Sequence, residues 1–276
     1  MTELTREENM LRHPCFHAEA RGSWGRVHLP VAPNCNIQCN FCNRLYHCAN
    51  ESRPGVTSEI YTPKEALEKL RQIRRCYGNI AVAGIAGPGD SLCEPEKTLQ
   101  TLEGIHEQFP DMLLCLSTNG LNLPACVDDL VDVGVTHVTV TVNAVHTKIG
   151  ERIYAYVRDG GRTYTGREGA ALLAERQDEG IRRLKRRGIV VKINTVVVPG
   201  VNMDHVEEIS RQAARWHADM MNCIAMIPVA HTPFAGLAAP TDEEMARVRA
   251  AAAGYVPQMY HCCRCRADAI GCLGKA

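Results

Sequence analysis

The chain has 276 residues, 45% of them hydrophobic and 22% charged, and its 31 basic and 31 acidic side chains cancel to a formal net charge of zero. Such a chain can bury a sizeable core in a single α/β barrel, and the balance excludes a disordered polymer or a polycationic nucleic-acid binder. No apolar run approaches the roughly 20 residues a spanning helix needs, so no membrane partner is expected.

The opening MTELTREENMLRH has no apolar core of a secretory leader. The fourteen cysteines therefore read as reduced, cytoplasmic thiols open to metal, not as a disulfide scaffold. Residues 1–25 show no periodicity and are expected to form an irregular arm carrying His13-Pro14-Cys15. From Arg26 onward, short β-rich runs alternate with amphipathic stretches. Strands are expected at 26–32, 79–84, 112–117, 136–142, 189–197 and 221–227, and helices at 63–76, 94–108, 124–133, 167–187, 203–217 and 241–253. Thr62 and Pro63 suit a helix cap and a first turn, and Gly188 suits a left-handed stop. The basic run RRLKRRG at 182–188 closes a helix, where cations favour the C-terminus and face water, so nucleic acid is not expected. Six successive βα units imply parallel strands, too few to close an eight-stranded barrel. The expected fold is α/β: a partial (β/α)6 barrel over 26–257, preceded by the arm and followed by a cysteine-rich tail at 258–276.

In parallel barrels the chemistry collects where strands end. Cys35, Cys39 and Cys42 (C-x3-C-x2-C) follow the first expected strand, and Gly87-Pro88-Gly89-Asp90 follows the second. Ser117 and Asn119 come at the end of the third, Thr141 and Asn143 at the end of the fourth, and Asn194 lies on the fifth. Three thiolates are one fewer than a closed zinc or iron–sulfur site wants. A 4Fe–4S cube on three cysteines leaves an iron open to the amine and carboxylate of a small molecule, while a zinc with a remote fourth ligand is the alternative. The spacing resembles that of the radical S-adenosylmethionine (SAM) superfamily, and Phe41 matches that family's usual aromatic. The GPGD stretch resembles its glycine-rich loop, whose backbone approaches the methionyl amine. Ser117, Asn119, Thr141, Asn143 and Asn194 are candidate partners for ribose or carboxylate.

Of the remaining cysteines, Cys262 and Cys265 form C-x2-C, and Cys15, Cys48 and Cys115 occupy arm or strand-end positions. Cys76, Cys93, Cys126 and Cys223 read as small buried apolar residues. His13 and His28 stand out by closeness to Cys15 and to the triad, and Glu51, Ser52 and Arg53, close to Cys48, are candidate proton-handling or orienting groups.

The strings HPC, CNIQCNFCNR, NESRPGVTSE, GIAGPGD, CLSTNG, HVTVTVNA, VKIN and HCxxCRADAIG resemble, in order and spacing, the NifB family of nitrogenase cofactor biosynthesis proteins, from His13 to about Gly271. The resemblance implies a SAM cluster plus two further 4Fe–4S clusters that are fused, with a SAM-derived carbon and an added sulfur, into an eight-iron core. One SAM would give its methyl group to a cluster sulfide, and a second would yield the radical that takes hydrogen from that methyl. It implies that Cys35, Cys39 and Cys42 hold the SAM cluster. Cys15, Cys48 and Cys115, with His28 or His13, would hold one substrate cluster and Cys262 with Cys265 the other, Cys263 and Cys272 lying outside the motif. Implied partners are an iron–sulfur cluster donor, a low-potential electron donor and a carrier or scaffold that accepts the product. The end soon after RADAIG fits the short, stand-alone form. A radical SAM enzyme acting on peptide or nucleotide, or a non-enzymatic iron–sulfur carrier, are the rival readings.

Overall fold

A computed structural model describes residues 6–273, with side chains from Glu8 onward. The chain runs through α1 (Arg6–Arg12), β1 (Gly25–His28), β2 (Ile37–Cys39), α2 (Pro63–Cys76), β3 (Ile80–Ile85) and α3 (Pro95–Gln108). It continues with β4 (Leu113–Thr118), α4 (Leu123–Asp132), β5 (Val135–Thr141), α5 (Thr147–Ile153), β6 (Tyr154–Asp159) and β7 (Arg162–Tyr164). The last part holds α6 (Gly166–Arg186), β8 (Val190–Val197), α7 (Val206–Arg215), β9 (Met220–Ala225), α8 (Asp242–Ala253) and β10 (Ile270–Gly271). No described helix is long and apolar enough to cross a membrane.

The main sheet has the order β10-β1-β3-β4-β5-β8-β9. Every neighbour from β1 to β9 pairs in parallel, and β10 lies antiparallel on β1, giving the open half-barrel expected of six βα units. Side chains alternate across a strand. Leu114, Leu116, Val138, Val140, Val191 and Ile193 pack into the core beneath the helices. The opposite parity faces inward, in three cross-strand rows. His28, Gly84, Cys115 and His137 share the lowest, Ser117, Thr139 and Lys192 the next, and Thr141, Asn194 and Asn222 the highest. The helix signals act as read: Thr62 and Glu65 form a reciprocal cap on α2 with Pro63 in its first turn, and Gly188 takes φ of 77° after α6.

Three parts differ from expectation. The arm is not wholly irregular, because α1 occupies it; seven residues make only two turns and leave no readable period. No element is expected between β5 and α6, yet α5, β6 and β7 stand there, and β2-β6-β7 form a second, antiparallel sheet. Cys39, at the end of β2, pairs with Tyr154, so the triad is braced by a strand and is not a bare loop. Finally, the 203–217 helix is shorter, since a 3-10 turn precedes α7.

The tail adds no βα unit. Gln258 bridges to Met221 on β9, and Ile270 and Gly271 pair with Val27 and Arg26 on β1. The tail thus runs as a strap from one edge of the parallel sheet to the other, across the gap the six strands leave.

Candidate active site

Cys35 precedes β2, Cys39 ends it, and Cys42 lies on the following turn, its N–H donating to the Cys39 carbonyl at 3.0 Å. The three thiols border one enclosed cavity with Cys48, Asn50, Glu51, Asp90, Asn119 and Thr141. Asn50 Nδ2 lies 3.6 Å from the Sγ of both Cys39 and Cys48, and Asn119 Nδ2 is 3.8 Å from Cys35 Sγ. Burial holds the Cys35 and Cys39 thiols well above the usual range, helped by Asp90 at the first and by Cys42 and Cys48 at the second. The thiols converge with the Arg44 guanidinium as the nearby cation, and this donor set fits a cluster with one open position. Phe41 is buried beside them, its ring centroid 6.4 Å from that of Phe234.

The loop after β3 packs against the segment that leads to Cys35. Gly89 N donates to Ala32 O at 2.6 Å and Asp90 N to Asn34 O at 2.7 Å. A Cβ on Gly89 would lie 2.0 Å from Asn34 O, so glycine here admits the chain's own backbone leading to Cys35. Gly87 has φ of 119°, and Pro88 O accepts from Cys48 N at 2.8 Å. The Asp90 carboxylate accepts from Thr118 Oγ1 at 3.0 Å, Leu92 N at 3.0 Å and Asn119 N, tying this loop to the end of β4. Asn119 in turn donates to Asn36 Oδ1 at 2.7 Å, one residue from Cys35.

Glu51 is the centre of a second network. Thr141 Oγ1 donates to its Oε1, Asn194 Nδ2 to its Oε2 at 3.0 Å, and Ser117 adds a further hydrogen bond. Burial nevertheless pushes this carboxyl up to about 7. Asn143 Nδ2 donates to Asn50 Oδ1 at 2.9 Å and so orients the amide that faces the thiols. Ser52 Oγ donates to Ala86 O at 3.1 Å, which fixes the loop to the end of β3. Arg53 is exposed, and its backbone N–H donates to Cys265 O at 3.0 Å.

Cys15, Cys115, Cys262 and Cys265 gather at the other end. Burial pushes the Cys15 thiol to about 11 and the Cys115 thiol to about 12; Cys265 and Cys262 also act on Cys15, and Cys15 on Cys115. Arg26 Nη2 donates to Cys265 Sγ at 2.8 Å, and Arg264 on the strap donates to Ala49 O at 2.6 Å and to Ala225 O. Gly84 makes room between neighbours: its Cβ would meet Cys115 Sγ at 2.8 Å and His28 Cδ2 at 3.3 Å. His28 Nδ1 is 3.2 Å from Arg266 O and donates to it, so Nε2 keeps its lone pair, the arrangement typical of a metal-bound imidazole. Burial lowers its pKa to about 4, keeping it neutral. His13 instead accepts from Cys15 N on Nδ1 at 3.2 Å, which puts its proton on the buried Nε2. Cys48 stands with the triad, not beside Cys15 and Cys115. Cys263 is exposed, and Cys272 Sγ lies 3.4 Å from Asn79 Nδ2.

Sequence reasoning missed Asn50, Arg26, Arg264 and Lys192. Lys192 had a signal: a lone cation in the apolar run VVKINTVV, two residues before Asn194 and so on the same face.

A family model for the radical SAM superfamily matches residues 29–213. The chain belongs to the radical SAM superfamily. Membership implies SAM and a 4Fe–4S cluster, and Cys35, Cys39 and Cys42 have the donor chemistry such a cluster requires. Its sequence is 44% identical over 267 residues to the FeMo cofactor biosynthesis protein NifB of Chlorobaculum tepidum, covering 97% of this chain and 63% of that protein. It is 48% identical over 267 residues to the NifB of Klebsiella pneumoniae, covering 95% and 57%. The chain thus spans less than two thirds of these curated relatives' length. In fold it is similar to Streptococcus suis SuiB bound to S-adenosylmethionine, with a TM-score of 0.61 and 16% identity over 86% of this chain and 50% of that one.

Proposed function

We propose that this radical SAM enzyme acts in nitrogenase cofactor biosynthesis, fusing two substrate 4Fe–4S clusters with a SAM-derived carbide and an added sulfur into the eight-iron precursor. The observation that carries this reading is the continuity of the thiols. Asn50 links Cys39 of the triad to Cys48, Glu51 follows on the inner face, and the strap brings Cys262 and Cys265 to Cys15. Clusters that are to be joined must lie side by side, and a carrier or relay has no need of such crowding. The similarity to NifB proteins supports the same reading.

Cys35, Cys39 and Cys42 would hold the SAM cluster, which together with SAM supplies a 5′-deoxyadenosyl radical and a methyl group. Cys15, Cys115 and the neutral His28 would hold one substrate cluster. Cys262 and Cys265 would hold the other with too few ligands to retain it. Glu51, poised near neutrality, accepts a proton at its carboxylate oxygens as the methyl carbon sheds hydrogen. Asn50 and Asn119 aim amide N–H groups at the triad sulfurs. An iron–sulfur cluster donor, a low-potential reductant and an accepting carrier or scaffold complete the cytoplasmic system.

The test supplies only SAM and reductant to the anaerobically cluster-loaded protein and measures products by chromatography. Both 5′-deoxyadenosine and S-adenosylhomocysteine are expected without any organic substrate; deoxyadenosine alone would favour a peptide- or nucleotide-modifying enzyme. Cys42→Ala should abolish SAM cleavage while iron at the other sites persists.

A further inference from the structure

Lys192 lies in the middle of β8 and is 7% exposed. Register places it beside Thr139 and, beyond that, Ser117, on the inner face. Below it runs the row of His28, Cys115 and His137; above it stand Thr141 and Asn194, which hold Glu51. The ammonium lies 4.8 Å from the Phe16 ring centroid and 4.0 Å from the Met259 sulfur. Among the described residues it has no oxygen acceptor and no carboxylate within ion-pairing distance. The other cations at this site are already engaged: Arg26 bonds Gly271 O and Cys265 Sγ, and Arg264 bonds Ala49 O and Ala225 O. A buried ammonium facing only a ring and a thioether is strongly unfavourable unless an anion joins it. Its charge already reaches Cys15, Cys115 and Glu51, drawing the proton affinity of each down.

We propose that Lys192 is the charge anchor of the substrate cluster held by Cys15 and Cys115, its ammonium donating to a cluster sulfide. This rests on the substrate-cluster reading above. Iron–sulfur clusters on thiolates are anionic and become more so on reduction. A cation fixed on the inner face therefore favours retention of the cluster and raises its reduction potential. Lys192 is a positioning residue: it supplies no iron ligand, and it turns the middle row of the sheet into the floor on which an anion sits.

The experiment uses the full chain with Cys35, Cys39 and Cys42 changed to alanine, so that only substrate clusters contribute. Lys192→Met and Lys192→Arg are added to that parent. Apo-protein melting, iron retained after a chelator challenge, and the cluster midpoint in a redox titration followed by electron paramagnetic resonance are compared. Lys192→Met should melt no lower than the parent, because an unpaired buried charge is gone. It should retain cluster about tenfold less well and shift the midpoint to more negative potential, and Lys192→Arg should restore much of both. Unchanged retention and midpoint in Lys192→Met would overturn the proposal, as would a lower apo melting temperature, which would mark Lys192 as a structural group. A parent that binds no cluster would instead overturn the substrate-cluster reading, before Lys192 is touched.

Discussion

Glu51 receives hydrogen bonds from Thr141, Asn194 and Ser117, yet burial raises its pKa from 4.5 to about 7. The folded state therefore binds this proton more tightly than the unfolded chain does. The stability it contributes is complete below the unfolded pKa and is lost as pH rises through the folded one. The apo protein should lose melting temperature between roughly pH 5 and 8, and Glu51→Gln, which cannot ionise, should show a shallower slope. Parallel slopes in a pH series of thermal melts would contradict the burial argument. At this scale the sequence showed which residues sit near the chemistry but not what they touch. Asp90 and Asn119 stand at strand ends, where function is expected, yet their mutual contact joins loops that are 29 residues apart. Asn50 is buried at 4% exposure with its amide turned to two sulfurs.

At the scale of elements, the long strands and helices were legible because each carries its own period. Val138 and Val140 alternate with His137, Thr139 and Thr141 along β5, and the parity that faces the helices is apolar. The short pieces β2, β6 and β7 were not legible. Three to six residues hold too little pattern; β2 is fixed by pairing with β6 across 115 or more positions, as between Gln38 and Tyr156, while β6 and β7 close a local hairpin. The loop that carries Gly89 can be tested by substitution. Gly89→Ala sets a methyl 2.0 Å from Asn34 O, and the partner is backbone, so the GPGD loop and the segment before Cys35 must part. A loss of about 1–3 kcal/mol in chemical denaturation is expected, together with weaker iron loading at the triad. Wild-type loading in this variant would show that the loop does not position Cys35.

For the whole molecule, the open half-barrel was predictable from a count of βα units, whereas the path of the tail was not. A cysteine-rich, irregular sequence says nothing about which strand edges it will meet. The structure carries it from Met221 on β9 to Arg26 on β1, with Cys262 and Cys265 midway. This path has a consequence for solubility as well as for iron. A sheet that does not close leaves two rows of unpaired N–H and C=O groups, each a template for another chain. Here one segment covers part of both rows, so the same residues that present thiols also guard the protein against edge-to-edge aggregation. A chain ending at Pro257 should therefore form oligomers in size-exclusion chromatography even without iron, whereas Cys262→Ser with Cys265→Ser should remain dispersed. If both behave alike, the strap's only task is to carry thiols.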